Sequence, residues 1–153
     1  MISRNDLLPP GAPDGLEVFQ LTSGEAPAAH IYPEAQVFSL DSRHLLLHDG
    51  ATAHGADPRA PFHRYLRCDI DDGCSLHCLM EEAGCKAPSV SPDGRYVYYF
   101  VDETTLNGGR LTLKRVALDG TDRRELLVVD APVGDSGRRP SLVGGLSTMR
   151  SDG

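Results

Sequence analysis

The sequence lacks the features that mark membrane proteins and nucleic-acid-binding proteins. No apolar run approaches the roughly 20 residues that a membrane-spanning helix needs, and the N-terminus has no charged region followed by an apolar one. Basic residues never cluster beyond a pair, and 22 acidic residues against 15 basic ones give a net charge of −7. These observations predict a soluble cytoplasmic protein that binds neither nucleic acid nor a membrane.

Several catalytic and metal-binding motifs are also missing. There is no Gly-x-Ser-x-Gly elbow and no glycine loop of the phosphate-binding kind, so these residues do not support a serine hydrolase or a nucleotide enzyme. The four cysteines, Cys68, Cys74, Cys78 and Cys85, include no Cys-x-x-Cys pair. We expect free thiols, with a metal knuckle or a single disulfide as the alternatives. No stretch is convincingly helical.

What the sequence does contain is strand and turn chemistry, most clearly in residues 87–100. Residues 89–90 end one strand, and the Pro-Asp-Gly of residues 92–94 suits a tight turn. Arg95 then begins the returning strand. Residues 96–101 are all β-branched or aromatic, which favours a strand covered on both faces. The stretch therefore predicts a hairpin whose second strand lies between two neighbouring sheets.

The same pattern returns along the chain. Residues 37–47 repeat it with Asp41 in the place of Asp93, a spacing of 52 residues (93 − 41), and residues 150–153 begin a third copy. A period near fifty residues is typical of a propeller, a solenoid or an array. We predict an all-β fold, a β-propeller of four-stranded antiparallel blades. Two blades and the start of a third would leave a stacking face bare, so we expect the chain to be part of a longer protein.

The turn positions predict how the chain is divided. Residues 1–14 form an irregular arm, and residues 15–31 a lead-in whose strand at 15–22 would close a ring. Blade one covers 32–85, blade two 86–140, and residues 141–153 open blade three. The expected strands span 34–38, 43–48, 63–70 and 74–80 in blade one, and 88–90, 95–101, 110–117 and 123–129 in blade two.

The hairpin sequence resembles known repeats. Residues 90–98, with Ser-Pro-Asp-Gly before a basic residue and an apolar run, resemble the PD40-type repeat of TolB-like propellers. Together with Leu-Thr-Ser-Gly at 21–24, His-Ile-Tyr-Pro at 30–33 and residues 113–120, they resemble the N-terminal part of the oligogalacturonate lyase family. That resemblance implies a seven-bladed propeller, which cleaves the uronate oligosaccharides of pectin by β-elimination. It also implies a divalent metal such as manganese, held in later blades, and assigns no metal ligand here.

Candidate binding residues follow from the predicted architecture. Ligands of propellers gather at the central channel, which the first strand of each blade lines. The channel-facing candidates for an acidic oligosaccharide are His30, Tyr32, Glu34 and Lys86. Lys86 can stabilise negative charge in an elimination, and His30 can act as a base near neutral pH. As loop residues, both are more commonly solvated.

Other groups have structural interpretations. His48, His54 and His63 bracket a long connection together with Asp49 and Asp57, but their spacing matches no zinc motif and a polar loop is expected. The Asp-Gly pairs of the sequence are expected to form turns and not to supply catalytic acids.

Two rival functions are open on the sequence, since fold does not decide function. One is a non-enzymatic TolB-like propeller that binds a protein partner across one rim. The other is the propeller domain of a serine peptidase. In each case the remainder of a propeller, or self-association, would supply the missing blades.

Overall fold

The structure, a computed structural model, describes residues 1–23, 28–31, 35–49, 63–105 and 108–140. In this part of the chain all regular structure is β apart from three single 3-10 turns at Asn5–Leu7, Ile70–Asp72 and Gly134–Ser136. The strands are β1 (Ile2–Ser3), β2 (Phe19–Gln20), β3 (Ala28–His30), β4 (His44–Asp49), β5 (His63–Asp69), β6 (Ser75–Glu82), β7 (Cys85–Val90), β8 (Tyr96–Thr105), β9 (Gly108–Ala117) and β10 (Arg124–Val129). The predicted all-β class is confirmed. No helix in the described ranges could cross a bilayer.

Eight of these strands form two antiparallel sheets of four. The first sheet has the order β3-β4-β5-β6 and the second the order β7-β8-β9-β10, so each strand pairs with its neighbour in sequence. Pairing of consecutive strands is the simplest route for an antiparallel sheet. The four-stranded antiparallel sheets predicted from the repeat are confirmed.

The first strand of the first sheet differs from the prediction of a strand at 34–38. The structure has β3 at Ala28–His30, where His30 pairs with Leu47, and then only an isolated bridge between Phe38 and Leu45. His30 and Phe38 are eight positions apart in the sequence, whereas their partners Leu47 and Leu45 are only two positions apart on β4. The sequence between His30 and Phe38 includes Pro33, which has no N–H to donate to a ladder.

The N-terminal strand is also shorter than predicted. Of residues 15–22 only β2 is a strand, and it pairs with β1, which lies inside the arm expected to be irregular. The Arg4 N–H donates to the Val18 carbonyl at 2.7 Å and extends this two-stranded ribbon. Pairing with β1 therefore occupies one edge of β2. A ring-closing role for this strand stays a prediction.

The predicted hairpin turn is present in the second sheet, between β7 and β8. Ser91 Oγ donates to Asp93 Oδ1 at 2.6 Å and accepts the Tyr96 N–H at 3.0 Å, while Asp93 Oδ1 also accepts the Arg95 N–H at 3.1 Å. Gly94 has a φ of 70°, in the left-handed region that glycine adopts without steric cost. Side chain and backbone together satisfy the turn.

The turn between β3 and β4 repeats this network atom for atom. Ser39 Oγ donates to Asp41 Oδ1 at 2.6 Å and accepts the His44 N–H at 3.0 Å, and Asp41 Oδ1 accepts the Arg43 N–H at 3.1 Å. Ser42 takes the left-handed position with a φ of 58°. The 52-residue repeat is therefore structural, and a residue of β4 corresponds to the residue of β8 that stands 52 positions later.

The two sheets stack through an apolar core. From the first sheet this core takes Leu46, Tyr65, Leu79 and Met80, and from the second it takes Val90, Val97, Tyr99, Val101 and Val116. Tyr99, Val97 and Met80 are fully buried there. Burying such side chains contributes about 1.5 to 3 kcal/mol each, so this contact is the main source of cohesion between the sheets.

The repeat shows that the sheets stack head to tail. Val97 and Tyr99 face the first sheet, but their counterparts Leu45 and Leu47 face away from the second sheet, into a separate cluster with Leu21. In each sheet, the odd-numbered residues of β4 or β8 therefore face the N-terminal side of the stack and the even-numbered residues face the C-terminal side. Such a contact is heterologous and repeats in one direction.

Removal of the turn carboxylate tests the turn network. Asp93→Ala should lower the free energy of unfolding at neutral pH by about 1 kcal/mol, because the half-exposed carboxylate loses three hydrogen bonds, from Ser91 Oγ, the Arg95 N–H and Arg95 Nε. Hydrogen bonds from Ser91 and Arg95 lower the pKa of Asp93 from 3.8 to about 2, so this contribution should persist above pH 3.8 and vanish as the pH falls toward 2. Urea unfolding across that range measures it. The exposed Asp14→Ala serves as control, and a pH-independent difference would contradict the assignment.

Candidate functional site

Lys86 lies on β7, the first strand of the second sheet, and is not a freely solvated lysine. Its Nζ is 2.8 Å from Asp102 Oδ2, and the two side chains are 22% and 4% exposed. Asp102 Oδ1 also accepts hydrogen bonds from the backbone N–H and the hydroxyl of Thr104. Lys86 pairs with Phe100 across the ladder, which places Asp102 two residues further along β8 on the same face. The ammonium is therefore held in one position.

The turn before β7 brings the backbone close to Asp102. Gly84 has a φ of 72°, and its carbonyl accepts the Asp102 N–H at 2.9 Å. A Cβ on Gly84 would lie 2.5 Å from the Asp102 carbonyl oxygen, so only glycine fits. The Lys86–Asp102 pair is thus fixed from the backbone side as well.

His30 ends β3 and is exposed, with its Nδ1–H donating to the Ile31 carbonyl. Its partner Leu47 corresponds by the repeat to Tyr99, which faces the bulge of β7 between Lys86 and Ser89, where Ala87 has a φ of 50°. His30 and Lys86 therefore lie at the interruption of the first strand in different sheets, and no contact among the described residues joins them. Tyr32 and Glu34, the other two predicted site residues, lie outside the described residues.

A polar cluster at the sheet interface was missed by the sequence analysis. Glu82, at the end of β6, accepts hydrogen bonds from Tyr99 Oη and Lys114 Nζ, both at 2.8 Å. Arg123 donates to Tyr99 Oη at 3.0 Å and, through its other terminal nitrogen, to the Leu79 carbonyl. These residues join β6 of the first sheet to three elements of the second. Only the stacking of the sheets brings them together.

The charges of this cluster are mutually compensated. Burial acts to raise the pKa of Glu82, but hydrogen bonds from Lys114 and Tyr99 and the charges of Lys114 and Arg123 outweigh it, so the pKa is lowered. Burial and the bond to Glu82 raise the pKa of Tyr99. The ionised Glu82 carboxylate accepts hydrogen bonds from Tyr99, Lys114 and, at 3.5 Å, Arg123. Because these donors compensate its charge in place of water, Glu82 is suited to holding the two sheets together.

The histidines beside the long connection form a buried group. The ring centroid of His48 on β4 lies 5.0 Å from that of Tyr65 and 6.2 Å from that of His63. His48 and His63 are 7% and 3% exposed, and His48 Nε2 has no hydrogen-bond partner among the described residues. His54 and Asp57 lie outside the described residues. Within the residues that the structure describes, no three His, Cys, Asp or Glu side chains have an arrangement that would hold a metal ion.

A cleft of about 730 Å³ opens where the turns of the two sheets meet. Its walls carry Asp41, Asp93, Asp119 and Asp122 together with Arg67, Arg95 and Tyr96. Asp41, Asp93 and Asp119 stabilise their turns; Asp119, for example, accepts from the Thr121 N–H and hydroxyl, whereas Asp122 binds Arg115 and Arg124. Arg67 is bound to Asp69 and to the Leu118 carbonyl. The cleft is built from turn and interface contacts.

Comparison with protein-family models, with curated proteins and with solved structures found no match to this chain. The resemblance to TolB-like propellers and oligogalacturonate lyases therefore rests on the sequence motifs alone.

The clamp at Glu82 makes a measurable prediction. Glu82→Ala should lower the free energy of unfolding by about 2 kcal/mol, because it leaves the Lys114 ammonium without its closest partner at a site only 17% exposed. Chemical denaturation followed by circular dichroism measures it. Glu81→Ala, the exposed neighbour on the same strand, should cost less than about 0.5 kcal/mol. Equal losses in both variants would show that Glu82 is not a clamp.

Acid should weaken the fold through His48. Burial, and then the nearby His63, lower its pKa below 6.5, so the folded chain keeps this imidazole neutral while the unfolded chain takes up a proton. Stability from His48 is complete above pH 6.5 and falls as the pH drops below it. The repeat places Phe100 at the equivalent position, so His48→Phe should fit the site. The variant should lose less Tm than the wild type between about pH 7.5 and about pH 5; identical losses would rule His48 out.

Proposed function

We propose that the two sheets are consecutive blades of a β-propeller that binds a uronate-containing oligosaccharide. The observation that carries the proposal is the head-to-tail stacking, in which equivalent residues of the two sheets face opposite neighbours. A contact that repeats in one direction either closes into a ring or continues as an open stack. Antiparallel sheets of four strands that stack face to face with their first strands innermost form a ring of blades.

The second sheet supports the proposal with its other face. Tyr98 and Phe100, the counterparts of Leu46 and His48, are only partly buried among the described residues, although Leu46 is 2% exposed. Leu111 and Leu113 on β9 are likewise half-buried. This aromatic and apolar face matches the one with which the first sheet contacts the second. A third blade would cover it on β8 and β9 and leave Lys86, on the first strand β7, at the channel edge of the same face.

An acidic ligand is supported by Lys86. In a propeller the first strands β3 and β7 line the channel, and Lys86 is the cation of these two strands. Asp102 holds the ammonium in place but takes only part of its three donors. A uronate carboxylate is a suitable acceptor for the remainder, since hydrogen bonds between charged groups are the stronger kind.

The lyase resemblance adds a proposed reaction for the complete propeller. Elimination transfers the proton next to the uronate carboxylate to a base, for which His30 Nε2 is the candidate, and expels the glycosidic oxygen, so negative charge grows on the carboxylate. A positioned ammonium stabilises that charge. Lys86 would serve this role, and the exposed His30 would contact the sugar. The divalent metal of the family would supply Lewis-acid stabilisation from later blades, and the described residues include no group that fits it.

Ligand binding tests the proposal without requiring turnover. Isotope-labelled chain titrated with trigalacturonate should show amide shifts around Lys86, and the neutral maltotriose should produce none. Lys86→Met should weaken binding about tenfold or more, because one charge-assisted hydrogen bond is lost, whereas Lys86→Arg should retain most of the affinity.

The control for charge alone is Arg95→Met, which removes an exposed cation at the turn end of β8. Equal weakening by Arg95→Met and Lys86→Met, or equal binding of acidic and neutral sugars, would contradict the uronate site. A circular dichroism spectrum of each variant shows whether the sheets are intact.

A protein-binding propeller is the second candidate, and one observation favours it. Strand β10 is the outer edge of the second sheet and exposes Leu126, Leu127 and Val128 by 44%, 55% and 37%. An edge strand with exposed apolar residues can receive another strand. Absence of any sugar binding, with loss of self-association or partner binding on Leu127→Lys, would favour this function over the lyase.

A further inference from the structure

Two cysteines flank the turn between β5 and β6 and share one buried cluster. Cys68 is 0% exposed and Cys74 is 5% exposed, and both pack with Leu45 and Leu66 on the face of the first sheet that points away from the second. All four cysteines of the chain are free thiols. This pair is independent of the proposed sugar site, which lies on the first strands of the sheets.

The backbone of the turn directs Cys74 back toward Cys68. Asp69 pairs with Ser75 across the hairpin, and the Cys74 N–H donates to the Asp69 carbonyl at 3.0 Å. Gly73 and Cys74 both have left-handed backbone, with φ values of 62° and 65°. Two successive left-handed residues reverse the chain sharply, so the Cys74 side chain lies on the same face as Cys68.

Cys74 lies close enough to Cys68 to affect the ionisation of the Cys68 thiol. Burial, and then a hydrogen bond and the charge of Cys74, raise the pKa of Cys68 to about 12. Cys68 therefore remains a protonated thiol until the sulfur of Cys74 is activated. Oxidation of this pair is therefore favoured by the proximity of the two thiols and not by a large fraction of thiolate.

We propose that Cys68 and Cys74 form a reversible modification site, which closes to an intramolecular disulfide when the chain meets a small-molecule disulfide such as oxidised glutathione. The Cys74 thiol loses its proton and attacks the glutathione disulfide, which releases one glutathione thiolate and leaves a mixed disulfide. Cys68 then loses its proton and attacks the Cys74 sulfur, which releases the second glutathione thiolate. The two protons pass to the two thiolates, so two protein thiols are oxidised and one disulfide is reduced.

The other cysteines are placed differently. Cys78 is exposed, and its sulfur lies 3.7 Å from the Met80 carbonyl oxygen to which it donates. Cys85 is buried in the core between the sheets, a different cluster from that of Cys68 and Cys74. Cys78 is exposed whereas Cys85 is buried, so Cys78 should keep a mixed disulfide with glutathione where Cys68 and Cys74 close on each other.

Two variants of the full chain that each keep two cysteines test the site. Cys78→Ser with Cys85→Ala keeps Cys68 and Cys74, and Cys68→Ala with Cys85→Ala keeps Cys74 and Cys78. After equilibration with oxidised and reduced glutathione, each is alkylated with N-ethylmaleimide and its intact mass is measured. The first variant should lose both free thiols and the mass of two hydrogens, and dithiothreitol should restore them. The second should gain glutathione on Cys78 and on Cys74, whose mixed disulfide Cys68 can no longer resolve, and should form no internal disulfide.

The unsubstituted chain gives the same test if a variant does not fold. Cleavage before aspartate separates Cys68 from Cys74 at Asp69, Asp71 and Asp72, so their disulfide would join two peptides. Because Cys74, Cys78 and Cys85 share the peptide 72–92, fragmentation of the linked pair by tandem mass spectrometry identifies which of them is bound to Cys68. A folded first variant that stays reduced or only collects glutathione would overturn the proposal. The same holds for a wild-type digest in which Cys74 is linked to Cys78 or Cys85, or in which Cys68 and Cys74 remain unlinked.

Discussion

The structure depends on the apolar contact between the two sheets. Val97, Tyr99 and Val116 of the second sheet and Leu46 and Met80 of the first exclude water from one continuous core. Hydrophobic burial has no direction of its own, so polar groups fix how the faces meet. Glu82 fixes this arrangement by accepting hydrogen bonds from Tyr99 and Lys114 of the opposite sheet. The Glu82 clamp depends on the stacking, because its residues lie together only when the two sheets are in contact.

The first strands of both sheets are interrupted where the two candidate binding residues lie. Lys86 stands beside a bulge of β7, and His30 stands where the first strand of the other sheet is interrupted. Interruptions of a ladder redirect side chains and are common next to binding sites. The Lys86–Asp102 pair gives the lysine a fixed position, which is what recognition of a carboxylate by a single cation requires.

The hairpin turns are stabilised by hydrogen bonds that do not involve the apolar core. Ser39 with Asp41 and Ser91 with Asp93 close the same hydrogen-bond network in both sheets. These bonds use neighbours in sequence, so they form without help from the rest of the fold. The turns therefore help to set the register of each hairpin through contacts that do not involve the other sheet.

The sequence by itself determined the strand content, the two hairpin turns and the period of 52 residues, because turn chemistry and β-branched runs act over a few neighbouring residues. It also predicted that Tyr99 and its neighbours are covered on both faces, and the described residues cover the face that carries Val97 and Tyr99. It missed the strand at 28–30, where pairing depends on β4, and the partner of Lys86, which lies on another strand. Tertiary structure alone decided the Glu82 clamp, the burial of His48 and the approach of Cys74 to Cys68. Those contacts join residues from separate strands or across a left-handed turn, and no local preference encodes them.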